Sequence, residues 1–211
     1  MPESEPHVDP GRLLVVLDAN VLLDVATLVG EPFTWAKFAA VAANTPGTHA
    51  GASVRAVQLL RGGQHPDGRP VEVWTSDHID RLVAVKAFQP TDAADERDRG
   101  LGWSRENAQG LVDDLIVDLL RDTGGSSVGP VSISYGSPPL SHEDGCVYAT
   151  VKAAGYQDVF YERVCLTRDR FFLDAGLPGL IEVRKPHDWV SSWIADSRAR
   201  AFRAMRGANG L

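Results

Sequence analysis

The sequence predicts an α/β fold, a three-layer α/β/α arrangement around a central, mostly parallel sheet of about five strands. Short apolar runs suited to buried strands alternate along the chain with segments in which apolar residues recur at helical spacing. Such alternation is typical of a parallel sheet that is covered by helices on both faces. The length of 211 residues suits one domain with insertions and a sizeable core.

Four apolar runs are the predicted strands, and they cover residues 13–17, 71–75, 164–167 and 180–183. A fifth candidate is the stretch VSISY at 131–135, which lies in a segment rich in Gly, Ser and Pro. These runs together account for the expected sheet.

Apolar residues at helical spacing predict helices over 35–43, 53–60, 76–88 and 105–121, and the last of these carries a continuous apolar stripe. Further helices are expected near Asn20, near Asp144 and over 186–206, where Pro186 suits the first helical position. The segment 89–139 is then an insertion of loops around one helix. A polar, Pro-rich and flexible N-terminus over 1–11 is expected to precede a single domain over 12–211.

Composition and charge exclude several classes of protein. The net charge of -7 argues against a protein that coats polyanions, because such proteins need clustered Lys and Arg. The two cysteines, Cys146 and Cys165, provide no disulfide framework, so they are expected to be reduced core residues of a cytoplasmic protein. No apolar run is long enough to span a bilayer, so no membrane contact is expected. The spacing of the histidines predicts no zinc site; those considered are His49, His65, His78, His142 and His187.

Three aspartates lie where an open parallel sheet places its chemistry, in the loops at the carboxyl ends of the strands. Asp18 ends the first strand, Asp169 follows the third, and Asp144 opens the helix before that strand. Taken singly, each is explained equally well as a helix cap or turn residue, and Asp144 forms a capping box with Ser141. Taken together, the three suit Mg²⁺ or Mn²⁺, which prefer oxygen ligands from several loops.

The motifs around these acids resemble those of the PIN-domain nucleases, a family that includes the VapC-type toxins of toxin-antitoxin pairs. In order, they are LDANVLLD, VWTSDHIDRLVAVKAF, HEDGCVYATVKAAG and VCLTRDRFFLDAG, and they span most of the chain. The resemblance implies a PIN-like domain and a Mg²⁺- or Mn²⁺-dependent ribonuclease. It also implies that Asp18, Asp144 and Asp169 are metal ligands or activators of the attacking water.

The resemblance extends to neighbouring residues and to partners. Asn20 and Thr167 would support the site by hydrogen bonding to the ligands or to metal-bound water. Independently of the resemblance, Arg168 and Arg170 flank Asp169 and could contact RNA phosphates, because guanidinium groups bind phosphate bidentately, or they could pair with surface acids. Single-stranded RNA is the implied substrate, and an antitoxin protein and a second copy of the chain are the implied protein partners.

The chain departs from the family at the second acid. The family has a glutamate in the second turn of the helix after the second strand, whereas this chain has Arg81 or Leu82 at the corresponding position. Asp80, Asp77 or Glu143 could take the place of that glutamate, or no residue does. Asp80 is the first choice and is counted with the catalytic acids.

Two other functions stay open at this point. The missing acid would also fit a catalytically inactive PIN-like module that binds RNA or protein. A haloacid-dehalogenase-like phosphatase also begins with an aspartate after an apolar strand, but that family has a second aspartate where this chain has Asn20. The asparagine argues against the phosphatase.

Overall fold

A sheet of four parallel strands forms the centre of the molecule. The structure is a computed structural model that describes residues 11–45, 47–95, 98–132, 140–157, 159–176 and 181–208, with side chains as far as 206. The strands are β1 (Arg12–Leu17), β2 (Val71–Trp74), β3 (Tyr161–Leu166) and β4 (Ile181–Arg184), and they lie in the order β2-β1-β3-β4. All four predicted strands are confirmed, with ends that shift by up to three residues, except that residue 180 lies outside the described chain.

The central strand β1 is buried on both faces. Five of its six residues are buried, and its Val15 pairs in register with Val73 of β2 and Val164 of β3. A parallel strand that is covered by helices on both sides needs an uninterrupted apolar run instead of an alternating one. The run LLVVL at 13–17 meets this need.

Nine helices flank the strands in the described parts of the chain. They are α1 (Ala19–Val29), α2 (Trp35–Ala43), α3 (His49–Leu60), α4 (Asp77–Phe88), α5 (Arg105–Leu111), α6 (Asp118–Thr123), α7 (His142–Ala153), α8 (Arg170–Asp174) and α9 (Pro186–Ala208). Helix α3 starts four residues before its predicted start because the Thr48 hydroxyl accepts a hydrogen bond from Gly51 N and caps the helix.

The predicted helix over 105–121 is continuous but is not α-helical throughout. A π-helical segment, Val112–Val117, joins α5 to α6. The predicted apolar stripe is confirmed, since Leu115, Ile116 and Leu119 are buried. Helical spacing detects the buried face, but it does not detect the wider π turns that lie within the same stripe.

The prediction of about five strands is wrong by one within the described residues. The segment 126–129 follows the outer edge of β2, where Ser127 forms a single parallel bridge with Thr75. Val128 N donates to Thr75 O at 3.0 Å, but Pro130 has no N–H with which to extend the pairing. Residues 131–132 of VSISY are not a strand, and the rest of that stretch lies outside the described chain.

The helices pack against one another around the sheet. Helix α1 packs on α3 and α4, α4 packs on α7, and α3 packs on α9. This α/β arrangement is compatible with three layers. The buried residues Trp189 and Trp193 anchor the C-terminal helix α9. Residues 198–206 near its end are all exposed. In the described chain, no helix has the length and apolarity that crossing a membrane requires.

Candidate active site

The carboxyl ends of β1 and β3 bring residues from opposite ends of the chain together. Asp18 follows β1 and Thr167 follows β3, and Asp18 N donates to Leu166 O at 2.9 Å. Because the two strands are parallel neighbours, the residues that follow them emerge at one edge of the sheet. Asp18 and Thr167 are both buried there.

A compact hydrogen-bond network holds the Asp18 carboxylate. Its Oδ2 atom accepts from Thr167 Oγ1 at 2.6 Å and from Asn20 Nδ2 at 2.6 Å. Asn20 Oδ1 accepts from Arg168 N at 3.1 Å, and Thr167 Oγ1 accepts from Asp169 N at 2.9 Å. Asp18 is the N-cap residue that immediately precedes α1, and its side chain makes no capping hydrogen bond. Its side chain is therefore oriented by Asn20 and Thr167, the two residues predicted to support it.

Asp144 reaches the same edge from α7. Ser141 Oγ accepts from Asp144 N at 3.1 Å and donates to Asp144 Oδ2 at 2.8 Å, which confirms the expected cap at the start of this helix. Thr150 Oγ1 donates to Ser76 Oγ at 2.8 Å and ties α7 to the start of α4. The serine cap thus orients a carboxylate that is only 8 % exposed.

Asp169 is a helix cap as well as a site candidate. Its Oδ1 atom accepts from Phe171 N at 2.7 Å and from Phe172 N at 3.2 Å, and it thereby caps α8. Within the described chain its hydrogen bonds involve Oδ1, so they leave Oδ2 available to a ligand. The capping role and the predicted catalytic role can therefore coexist on one carboxylate.

The three carboxylates act on one another electrostatically. The pKa of Asp18 is raised to about 6, mainly by burial and also by the charge of Asp144, against the hydrogen bond from Thr167. Burial also raises the pKa of Asp144, the Ser141 hydrogen bond opposes this, and the charge of Asp169 adds to it. No described Lys or Arg forms an ion pair with any of the three. Their oxygens do not all lie within 4.8 Å of one another, so the group is more open than a closed metal site.

The fourth predicted acid, Asp80, lies in the first turn of α4, the helix that follows β2, and has different neighbours. Thr75 Oγ1 donates to Asp80 Oδ1 at 2.7 Å. Burial raises the pKa of Asp80, the hydrogen bond from Thr75 lowers it, and the charge that raises it further is that of Asp77. Glu143 is exposed, and its charge raises the pKa of Asp144. Of the substitutes for the missing glutamate, Glu143 thus acts on Asp144, whereas Asp80 accepts a hydrogen bond from Thr75.

Arg168 is held by an acid that the sequence analysis did not consider. Its Nε atom lies 2.7 Å from Asp24 Oδ2, and Ser53 Oγ donates to the same oxygen at 2.7 Å. Asp24 is buried, and burial raises its pKa despite both partners. Asp24 is the last residue of the motif LDANVLLD. Its place in that motif was the sequence feature that could have identified it as a partner of the site.

The structure also brings together a set of residues that histidine spacing did not predict. One nitrogen each of His78 and His142 and the sulfur of Cys146 all lie within 4.8 Å of one another. His142 and Cys146 are four residues apart on α7 and face the same side. This spacing was the available signal, whereas His78 comes from α4 and is brought close only by packing.

The chain matches no protein-family model, no curated protein and no solved structure at a significant level. Membership of the PIN-domain nucleases therefore stays a prediction from the motifs, and any function has to be argued from the site itself.

Proposed function

We propose that the chain is a Mg²⁺- or Mn²⁺-dependent ribonuclease whose site consists of Asp18, Asp144 and Asp169. The observation that carries this proposal is the convergence of three carboxylates from three distant parts of the chain. Two of them, Asp18 and Asp144, are buried and repel each other. Buried like charges are costly for a fold, and functional sites are where such groups concentrate.

The donors of this site suit a hard divalent cation. Asp18, Asp144 and Asp169 offer only oxygen atoms, and an open group of carboxylates leaves room for the waters that Mg²⁺ retains. When bound, such an ion lowers the pKa of a water and offsets charge on the leaving oxygen of a phosphodiester. The contribution of the chain is to hold the carboxylates in place, through Asn20 and Thr167 for Asp18 and through Ser141 for Asp144.

A cationic cleft beside Asp169 supports a polyanionic substrate. A cavity of about 210 Å³ lies between the start of α3, the start of α9 and the loop after β3. Arg168 and Arg170 flank Asp169 and contribute to its walls, and Lys185 contributes the third permanent charge. The other titratable side chains of the lining are His49 and His187. Arg168 also pairs with Asp24 and Arg170 with Asp174, yet in a chain of net charge -7 the three clustered cations favour phosphate groups.

An exposed aromatic ring next to the acids favours a single-stranded substrate. Phe171 follows Arg170 in α8, and 83 % of its surface is exposed. Unpaired bases stack on such rings, whereas bases within a duplex are not available for stacking. Single-stranded RNA is therefore the substrate that we propose.

The narrower role as a toxin, with an antitoxin and a second copy of the chain as partners, comes from the family resemblance alone. A small reading frame encoded next to this chain, whose product binds it and blocks RNA cleavage, would support that role. RNA cleavage without any such neighbour would favour a general nuclease.

Incubation of the purified chain with labelled single-stranded RNA tests the proposed function. We expect cleavage with Mg²⁺ or Mn²⁺ and none with a chelator. Asp144→Asn and Asp169→Asn should each abolish cleavage, while Asp113→Asn, which changes an exposed acid on the long helix, should retain it.

The same preparations separate the alternative functions. RNA binding without cleavage at any metal concentration would favour an inactive binding module. Hydrolysis of a small phosphate ester through an aspartyl-phosphate intermediate would favour the phosphatase. Full RNA cleavage by both site variants would contradict the proposed site.

A further inference from the structure

Two histidines and a cysteine meet where α4 packs against α7. His142 Nε2 lies 3.8 Å from Cys146 Sγ, and the rings of His78 and His142 are 5.8 Å apart at an angle of 78°. The three ligand atoms all lie within 4.8 Å of one another. Among the described residues, this is the one such group of His, Cys, Asp or Glu.

A second observation, on the ring of His78, also points to a ligand. His78 Nε2 is buried and has no hydrogen-bond partner within the described chain. Buried ring nitrogens are nearly always satisfied, so a buried nitrogen without a partner requires an explanation. A metal ion between the two helices would provide one.

The geometry suits a small tetrahedral ion. Zn–S bonds of about 2.3 Å and Zn–N bonds of about 2.0 Å at tetrahedral angles separate the two ligand atoms by about 3.5 Å. The observed 3.8 Å between His142 and Cys146 therefore requires only a small adjustment. The two residues are one helical turn apart, so one ion can contact both, and His78 approaches from the opposite helix.

We propose that His78, His142 and Cys146 bind one Zn²⁺ ion, which clamps α4 to α7. The fourth position is left to water or to Glu143, which lies close enough to act electrostatically on both His78 and Cys146. Imidazole and thiolate ligands select Zn²⁺ over Mg²⁺, so this ion does not compete with the ion proposed for the aspartates. The clamp lies within one turn of Asp144 and holds the start of the helix that carries it.

The test uses the full chain, freed of metal and titrated with Co²⁺ as a spectroscopic substitute for Zn²⁺. We expect one equivalent to bind and to produce a thiolate-to-cobalt charge-transfer band together with the intense d–d bands of a tetrahedral site. Zn²⁺ should displace the Co²⁺ and bleach both. Cys146→Ser should abolish the charge-transfer band, and His78→Gln should weaken Co²⁺ binding by about tenfold or more. Cys165→Ala, which removes the other buried thiol, should leave the spectrum unchanged.

A stability measurement accompanies the spectra. Zn²⁺ should raise the melting temperature of the wild type and of Cys165→Ala, and it should raise that of Cys146→Ser and His78→Gln by clearly less. Absence of the charge-transfer band in the folded wild type, or its persistence in Cys146→Ser, would overturn the proposal. If Cys146→Ser does not fold, the wild-type spectrum and His78→Gln decide the matter. RNA cleavage plays no part in these readouts, so the zinc site and the ribonuclease can fail separately.

Discussion

Replacement of Asp18 by asparagine should stabilise the metal-free protein at neutral pH. Burial, together with the charge of Asp144, raises the pKa of the Asp18 carboxyl from 3.8 to about 6. The proton is therefore held more tightly in the folded state than in the unfolded one. Below about pH 4 the carboxyl is protonated in both states, and as the pH rises through about 6 the folded state loses this stabilising contribution.

The size of the effect follows from the same pKa values. Because one pKa unit corresponds to about 1.4 kcal/mol, ionisation of Asp18 costs the folded state about 3 kcal/mol above its raised pKa. Asp18→Asn removes that cost. The amide oxygen of the asparagine can still accept hydrogen bonds from Thr167 and Asn20. Loss of the second carboxylate oxygen as an acceptor destabilises the variant by about 1 kcal/mol. We expect a net gain of about 2 kcal/mol at neutral pH.

Urea unfolding in the presence of a chelator, from about pH 4 to about pH 8, measures this difference between variant and wild type. The free energy of unfolding of the variant, relative to that of the wild type, should rise from about pH 4 to about pH 6 and stay constant above about pH 6. Asp113→Asn, an exposed acid, should produce no such rise. A difference in the free energy of unfolding that does not change with pH would refute the argument that burial disfavours the charged form of Asp18.

The remaining predictions concern the framework around the site. Gly125→Ala should destabilise the protein by about 1–3 kcal/mol, because a Cβ atom there would lie 1.7 Å from Val73 O. Gly110→Ala, in an open part of α5, should instead stabilise it by up to about 1 kcal/mol, and urea unfolding of both variants decides. Ser141→Ala should cost about 1 kcal/mol through loss of the α7 cap and should also lower RNA cleavage, because Asp144 loses a hydrogen bond. Unchanged cleavage in that variant would show that Asp144 needs no such support.

The strands of this fold could be predicted from sequence because parallel strands covered on both faces must be apolar throughout. The run at β1 meets this requirement with no interruption, and so does the run that forms the second half of β3. The edge pairing at Ser127 could not be predicted, since one bridge leaves no periodic pattern. The π-helical segment, Val112–Val117, could not be predicted either, because its buried residues continue the apolar stripe of an α-helix.

The spatial grouping of the candidate site residues could be predicted in part. Asp18 and Asp169 could be related because both follow strands that are neighbours in a parallel sheet. The ion pair of Arg168 with Asp24 and the approach of His78 to α7 depend instead on how helices pack, and helix packing is not encoded in the spacing within any one segment. A capping role does not exclude a functional role for the same residue, since Asp169 caps α8 through Oδ1 and still has Oδ2 available.

RNA cleavage by Asp18→Asn tests the central claim most directly. The structure predicts that this variant is folded and more stable than the wild type, so a loss of activity cannot be attributed to unfolding. Assayed with Mn²⁺ and single-stranded RNA beside the active wild type, the variant should cleave nothing. Cleavage by Asp18→Asn at the wild-type rate would contradict the proposal that this carboxylate is part of a metal-dependent ribonuclease site.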